Sequence, residues 1–193
     1  MKERLLMLVF ILVLGGILTT ALVIVDYYTA PMIEKNAAIT LQSSVLDSLD
    51  VAYDSSEVET AFSTNVDSIE AGGRTYYRAG DGRLALPYEG SGLWGPIIGI
   101  LAMDPDLDRI SGLTIMQQEE TPGLGSRIAE DAYLDAFVSK RMTEGLKLVP
   151  PGRADGEDEI DSISGATMSS KAFVALLNTE YATYRSLLTG RGE

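Results

Sequence analysis

The sequence predicts an α+β protein in which one N-terminal transmembrane helix precedes a domain of antiparallel sheet and helices. Three observations lead to this prediction: residues 5–25 carry no charge, short strand-like segments separated by turn residues fill the middle of the chain, and a helix-period pattern follows them. Hairpins followed by helices are typical of an α+β domain. The predicted organisation has three parts: 1–26, the cytoplasmic tip and transmembrane helix; 27–72, a helical or irregular connector; and 73–193, the main domain.

The apolar run at the N-terminus predicts a membrane anchor. The 21 residues from Leu5 to Val25 would span about 30 Å as a helix, which matches the hydrocarbon core of a bilayer. A cleaved signal peptide is the alternative, but its apolar region is shorter, about 7–15 residues. Lys2 and Arg4 precede the run and Asp26 follows it. The positive-inside rule therefore places the N-terminus in the cytoplasm and the remaining chain outside.

Beyond the span, apolar positions spaced through residues 27–49 predict a helix that continues outward. Pro31 predicts a kink or restart in it, because proline disrupts a helix interior. Residues 50–68 are polar and mixed, so we expect irregular structure with short elements there. Strand-like segments then occupy 75–78, 83–86, 97–103 and 110–116.

Turn residues separate these strand-like segments. Asp81-Gly82 predicts a hairpin between the first two strands. Residues 104–108 read D-P-D-L-D and predict the turn between the last two. A calcium loop is the alternative for this acidic run, but the run lacks the glycine and the distal glutamate of an EF-hand. We therefore predict no metal site.

The last third of the chain predicts two helices and a strand. Residues 129–138 have a helical pattern, and 144–149 a strand-like one that Pro150-Pro151 ends. Residues 152–161 predict an exposed acidic loop. After it, apolar residues recur with the i, i+3, i+4 spacing of an amphipathic helix; they are Phe173, Leu176, Leu177, Tyr181, Tyr184 and Leu187.

Composition narrows the function classes. The chain has 15 Lys and Arg against 28 Asp and Glu, and the part after the span carries a net charge of about −14 in simple counting. Such acidity argues against binding to nucleic acid or to an anionic lipid surface. The sequence contains no Cys and no His, which excludes disulfides, cysteine-ligated clusters and the usual general base. Any redox chemistry must therefore come from an organic cofactor.

The segment before the C-terminal helix carries the most specific motif. Asp161 to Thr167 read D-x-x-S-G-A-T. Thr167 lies at or just before the predicted helix start, where free N–H groups and the positive end of the helix dipole stabilise a phosphate. Gly165 permits a tight backbone approach. The alternative is structural: Ser164 and Thr167 simply cap the helix, a common use of serine and threonine.

Two further segments have the composition of ligand-binding loops. Residues 120–125 read E-T-P-G-L-G, in which proline and glycine mark a turn and Leu124 offers an apolar face. An ordinary connecting loop is the alternative for this segment. Residues 92–95 read G-L-W-G and include Trp94, the one tryptophan of the sequence. A lone tryptophan is more often a core residue than a cofactor contact.

The three segments together, in this order, resemble the family of membrane-anchored, covalently flavinylated subunits of Rnf-type and Nqr-type ion-translocating electron transport complexes (the RnfG and NqrC subunits). The resemblance extends from the N-terminal span to the C-terminal helix. It implies that FMN is attached through a phosphoester to the hydroxyl of Thr167. It also implies that the redox chemistry belongs to the flavin, so that no catalytic acid or base and no metal is needed.

The resemblance assigns roles to the motif residues. Ser164, Gly165 and Ala166 would shape the turn around the phosphate, and Asp161 would serve recognition by the flavin transferase. The other implied flavin contacts, or residues that position the loop, are Glu120, Thr121, Gly123, Leu124 and Trp94.

The implied function is that of an electron-carrier subunit in a cation-translocating ferredoxin:NAD or NADH:quinone oxidoreductase, with no complete activity alone. The implied partners are the other membrane subunits of the complex, the membrane and, during maturation, the flavin transferase; nucleic acid is not among them. The implied location is the inner (cytoplasmic) membrane of a bacterium or archaeon, with the N-terminus in the cytoplasm and the flavin domain on the outer side.

Two alternatives remain open. A membrane-anchored exterior binding or scaffold module explains the span and the acidity, but not the joint occurrence of D-x-x-S-G-A-T and E-T-P-G-L-G. A flavinylated subunit of another respiratory electron-transfer system uses the same motif. Between the two pump types, the short chain suits the Rnf type and G-L-W-G leans towards the Nqr type, so the motifs indicate the class and not the complex.

Overall fold

The computed structural model describes residues 2–190; Met1, in the predicted cytoplasmic tip, and 191–193, in the predicted main domain, lie outside the described residues. Contacts within the chain divide it into a first unit that ends at Thr40 and a second that begins at Leu41. Helix α1 spans Lys2–Ser48 and includes Pro31. Within residues 2–190, α1 is the one helix long and apolar enough to cross a membrane, with a mean hydropathy of 2.9 over its most apolar window.

The second unit is built on a five-stranded antiparallel sheet in which the strands follow one another in sequence order. Each strand that the sequence predicts is present. The strands are β1 (Val66–Ala71), β2 (Arg74–Ala79), β3 (Leu84–Ser91), β4 (Pro96–Met103) and β5 (Ile110–Gln118). Strand β1 and the short helix α2 (Val58–Asn65) were not predicted individually.

The hairpin between β2 and β3 turns where Asp81-Gly82 predicts it. Tyr77 pairs with Ala85 across the two strands, and the Asp81 Oδ1 atom accepts a hydrogen bond of 3.0 Å from the backbone N–H of Arg83. Gly82 adopts a φ of +92°, which a residue with a side chain rarely adopts. Local turn chemistry therefore determines the register of this pair.

Helix α4 (Thr167–Thr189) packs its apolar face against the sheet, as its periodicity predicts. Phe173 and Leu177 are fully buried, and Tyr181 and Tyr184 nearly so. The Phe173 ring lies 6.1 Å from the ring of Tyr88 on β3, measured between centroids. This aromatic contact joins the first half of the helix to the centre of the sheet, and so holds the start of α4 at a defined place.

The segment between β5 and α4 is more irregular than the sequence predicts. In place of one helix over 129–138, the chain forms α3 (Asp131–Leu134) between two turns of 3-10 helix, Gly125–Ala129 and Asp135–Phe137. Strand β6 (Lys147–Val149) pairs in parallel with β7 (Glu159–Asp161). Strand β7 lies inside the segment that was predicted to be an acidic loop. The α+β fold class is confirmed.

Candidate functional site

Thr167 is the first residue of helix α4, and its hydroxyl group faces solvent. The residue that caps the helix is Ala166, which has no side-chain oxygen to offer. The capping alternative is therefore wrong, although the predicted helix start is correct. Thr167 and Ser164 are both exposed, and neither hydroxyl has a hydrogen-bond partner among residues 2–190. The motif thus leaves two hydroxyl groups free on the surface at a helix start.

The first turn of α4 also offers unpaired backbone N–H groups. Within the described residues, the first amide of this region to reach an i−4 carbonyl is that of Ser170, which donates to Ala166 O at 2.9 Å. The preceding amides at Thr167, Met168 and Ser169 donate no hydrogen bond among residues 2–190. Such N–H groups, together with the positive end of the helix dipole, bind anions such as phosphate.

Buried residues hold the Ser164-Gly165 turn from below. The Ser170 hydroxyl accepts a hydrogen bond of 3.2 Å from Ile163 N–H and donates one of 3.0 Å to Ala166 O. Gly165 adopts a φ of +83°, in the left-handed region that glycine occupies without strain. The turn is therefore fixed on its inner side and open on its outer side. Sequence reasoning missed Ser170, because a serine inside a helix start has no distinctive pattern.

Glu120 joins the three sequence motifs. Its side chain is 4% exposed, and its Oε1 atom accepts hydrogen bonds from the backbone N–H groups of Leu93, at 2.6 Å, and Trp94, at 3.3 Å. Its Oε2 atom accepts a bond of 2.8 Å from the Ser169 hydroxyl, two residues after Thr167. The structure thus brings G-L-W-G, E-T-P-G-L-G and the start of α4 together through one carboxylate.

Three large apolar side chains of the motif segments and the helix start are exposed. Trp94 is 71% exposed, Leu124 52% and Met168 58%. The Leu124 Cδ2 atom lies 3.7 Å from where a Cβ atom would stand on Gly165, which places Leu124 beside the turn of the D-x-x-S-G-A-T motif. The interpretation of Trp94 as a core residue is therefore wrong. An exposed apolar group of this kind commonly marks a binding site.

The glycines of E-T-P-G-L-G serve two different purposes. Gly123 has a φ of +73° and no atom within 4 Å of an added Cβ atom, so the turn geometry requires it. An added Cβ atom on Gly125 would lie 2.6 Å from Ser169 Oγ and 2.8 Å from Glu120 Oε2. The space beside Gly125 is therefore filled by other atoms of the protein. The Thr121 carbonyl closes the loop by accepting the N–H groups of Leu124, at 3.2 Å, and Ser126, at 3.1 Å.

Asp161 ends strand β7 and anchors the loop before it. Its Oδ1 atom accepts hydrogen bonds from the backbone N–H groups of Arg153, at 2.8 Å, and Ala154, at 2.9 Å. The bonds from Ala154 and then Arg153 hold the pKa of the Asp161 carboxyl below its ordinary value of 3.8. The motif carboxylate is therefore ionised at neutral pH and already has a structural task.

Residues 92–181 match the sequence model of the FMN-binding domain family. Over this stretch, which is just under half of the chain, the sequence is similar to that family. The matched stretch begins at G-L-W-G, includes E-T-P-G-L-G and D-x-x-S-G-A-T, and ends within α4. It therefore covers the site assembled around Glu120 and Thr167.

Curated relatives carry one recurring description. The chain is 37% identical over 95 residues to the C subunit of the Na(+)-translocating NADH-quinone reductase of Neisseria meningitidis, a match that covers 47% of this chain and 37% of that protein. It is 35% identical over 127 residues to the protein of the same name from Chlamydia trachomatis, covering 55% of this chain and 40% of the relative. The match thus spans well under half the length of these relatives.

Solved structures give the same picture of the fold. The structure of the C subunit of the Na(+)-translocating NADH-quinone reductase from Parabacteroides distasonis has a TM-score of 0.72 at 26% identity, over 82% of this chain and 96% of that one. The structure of NqrC from Shewanella oneidensis has a TM-score of 0.65 at 21% identity, over 73% of this chain and 90% of that one. The resemblance inferred from the sequence motifs is confirmed.

Proposed function

We propose that Thr167 carries FMN through a phosphoester on its Oγ1 atom. The observation that carries this proposal is the free, exposed hydroxyl of Thr167 at a helix start whose first amides are unpaired. A hydroxyl that caps a helix is occupied by a backbone N–H group, whereas this one is available for esterification. A phosphate on it would lie next to the helix N-terminus, where negative charge is stabilised.

The surrounding residues fit a flavin. The turn at Ser164, Gly165 and Ala166 leaves the outer side of Thr167 open, and the exposed side chains of Leu124, Met168 and Trp94 offer apolar surface to an isoalloxazine ring. Thr121 and Gly123 shape the loop that presents Leu124. When bound, FMN would supply the oxidation–reduction chemistry. The protein would supply attachment, orientation and partial exclusion of water from one face of the ring.

On this basis the chain acts as an electron-carrier subunit of a Na⁺-translocating NADH-quinone reductase type of complex. The support is the description shared by the relatives and the FMN-binding domain. Helix α1 would anchor the chain in the inner membrane with the flavin domain on the outer side, which agrees with Lys2 and Arg4 preceding the span. The partners would be the other membrane subunits and a flavin transferase that recognises Asp161.

Replacing the hydroxyl tests the attachment. In cells that also produce the flavin transferase, Thr167→Ala should lose all covalent flavin while the domain remains folded, and Thr167→Ser should be labelled in part. Unfolding should change by less than about 0.5 kcal/mol, because the lost hydroxyl makes no contact and surface changes of this kind cost little. In-gel flavin fluorescence and intact mass measure the labelling, and thermal unfolding measures the stability.

Thr179→Ala, an exposed threonine of the same helix, is the matched control and should keep its flavin. Covalent flavin on Thr167→Ala would place the attachment elsewhere. Purifying the full chain from native membranes then tests the complex: the proposal predicts co-purified subunits that oxidise NADH. Oxidation of ferredoxin in place of NADH would assign the chain to an Rnf-type complex.

A further inference from the structure

We infer that Glu120 is the positioning residue of this site: its carboxylate holds the Trp94 loop at a fixed place beside the helix start that carries Thr167. The inference deepens the proposed function and rests on it, because the object being positioned is the flavin environment. The loop in question is Gly92 to Gly95, which the backbone closes by a 2.8 Å hydrogen bond from Gly92 N–H to Gly95 O.

The hydrogen bonds of Glu120 define the role. A buried carboxylate is costly unless hydrogen bonds satisfy it, and here the donors are two backbone amides of the loop and one hydroxyl of α4. Within residues 2–190, none of the ion pairs involves Glu120. Its interactions therefore serve to join segments that are 27 and 49 residues away in sequence.

Two glycines make room for the carboxylate. A Cβ atom added to Gly92 would collide with Glu120 Oε1, and it would also lie 2.8 Å from Ile97 Cδ1. A Cβ atom on Gly125 would lie 2.8 Å from Glu120 Oε2. The loop, the E-T-P-G-L-G segment and the helix start are thus fitted around this one side chain, on both of its oxygens.

The position of Ser169 connects this arrangement to the proposed attachment point. Ser169 is buried on the inner side of the first turn of α4, while Thr167 faces outward from the same turn. Glu120 therefore fixes the spacing between Trp94 and Thr167 through a chain of rigid elements: loop backbone, carboxylate, serine hydroxyl and helix. A flavin attached at Thr167 would meet the Trp94 loop at a distance that Glu120 determines.

Trp94 reports on its own loop, because it is the one tryptophan of the chain. In full-length Thr167→Ala protein, which has no flavin to interfere, the fluorescence anisotropy of Trp94 measures how firmly the loop is held. Glu120→Ala should lower that anisotropy. Glu120→Gln should restore it, because an amide oxygen can accept the two N–H bonds while the amide nitrogen donates to a serine hydroxyl, which also accepts.

The flavin-loaded protein gives the second measurement. With Thr167 intact, energy transfer from Trp94 to the covalent flavin, normalised to the fraction of chains labelled, should fall in Glu120→Ala and return in Glu120→Gln. The matched control is Glu180→Gln, which alters the other buried glutamate, whose hydrogen bond goes to Arg74 and not to the loop. It should lower the melting temperature and leave the Trp94 anisotropy unchanged.

Unchanged Trp94 anisotropy in Glu120→Ala would overturn the inference, and so would an equal decrease in Glu180→Gln, which would indicate general loosening. If the alanine variant does not fold, Glu120→Asp replaces it. Aspartate is one methylene shorter and cannot reach the loop and Ser169 together, so it should also lower the anisotropy. Absence of covalent flavin on the parent chain would remove the proposed function and leave the anisotropy result standing, so the two failures are distinguishable.

Discussion

The two ends of helix α4 treat their polar groups in opposite ways. At the C-terminal end, the Tyr181 hydroxyl donates to Leu107 O at 2.6 Å and the Tyr184 hydroxyl donates to Pro87 O at 2.9 Å. Glu180, on the same face, pairs with Arg74 of β2. At the N-terminal end, the Thr167 hydroxyl and the first amides have no partner among residues 2–190.

This difference follows from where each end of the helix lies, on the sheet or at the surface. Burying a polar group without a partner is costly, so the end that lies on the sheet satisfies each hydroxyl with a carbonyl. The end that reaches the surface can leave its groups free, because water satisfies them until a ligand arrives. One helix is therefore anchored at one end and exposes a free hydroxyl group at the other.

The largest expected effect comes from the buried part of the helix. Phe173 is fully buried between the rings of Tyr88 and Phe137. Phe173→Ala should destabilise the domain by about 3–5 kcal/mol, the usual cost of deleting a buried phenylalanine. Thermal unfolding followed by near-ultraviolet circular dichroism measures this loss, and chains that remain folded should still be labelled with flavin at Thr167.

The matched control lies at the open end of the same helix. Met168 is 58% exposed, and Met168→Ala should change the unfolding free energy by less than about 0.5 kcal/mol. Equal destabilisation by the two substitutions would show that the helix start is as firmly packed as its middle, and the contrast between the ends would fail.

The sequence predicts the elements of the fold that depend on a local pattern of residues. The start of α4 follows from its apolar spacing, and the β2–β3 hairpin from Asp81-Gly82. Strand β1 was missed because Asp67, Ser68 and Glu70 leave it little hydrophobic alternation, as suits an exposed edge strand. Strand β1 belongs to the sheet only because it pairs with β2, and the local residue pattern of β1 does not reveal that pairing.

The candidate site residues come from motif resemblance and their roles stay predictions, and the contacts among them could not be predicted from the sequence. Motif resemblance identified Thr167, Leu124 and Glu120, and the structure places them around one helix start. The role of Ser169 and the way Glu120 reaches the Trp94 loop depend on segments up to 49 residues apart in sequence. These contacts form only in the folded chain, and the spacing of residues within any one motif does not reveal them.

A smaller effect is expected at the turn before the helix. Gly165 has a φ of +83°, and an added Cβ atom would find only Leu124 Cδ2, at 3.7 Å, within reach. Gly165→Ala should therefore cost about 1–2 kcal/mol, the strain of a left-handed residue with a side chain, without any clash. Gly123→Ala, at a φ of +73° with open space around it, is the control for strain alone. The two should lose similar stability, but only Gly165→Ala should slow flavin labelling.

The smallest effect concerns Asp161, and it is present at neutral pH and disappears in acid. Backbone N–H groups lower the pKa of this carboxyl in the folded chain from its ordinary value of 3.8. A lowered pKa means that the ionised group stabilises the fold above pH 3.8, and that this contribution disappears as the pH falls through the lower folded value. Asp161→Asn keeps an oxygen acceptor but loses the charge that strengthens both bonds. The parent should therefore be the more stable protein at neutral pH, and the two melting temperatures should converge in acid.

Salt distinguishes this anchor from an ordinary ion pair. Asp158 also has a lowered pKa, but its partner is the Lys147 ammonium group at 2.5 Å on the surface, and salt screens exposed charge pairs. The difference in melting temperature between the parent and Asp158→Asn should shrink at high ionic strength. The difference for Asp161→Asn should persist, because the partners of Asp161 are uncharged backbone amides of the loop. A difference at Asp161 that stays constant down to about pH 2, or one that salt removes, would mean that the ionised carboxylate does not hold the loop. Asp161 would then have no structural role, and recognition by a flavin transferase would be the one role proposed for it.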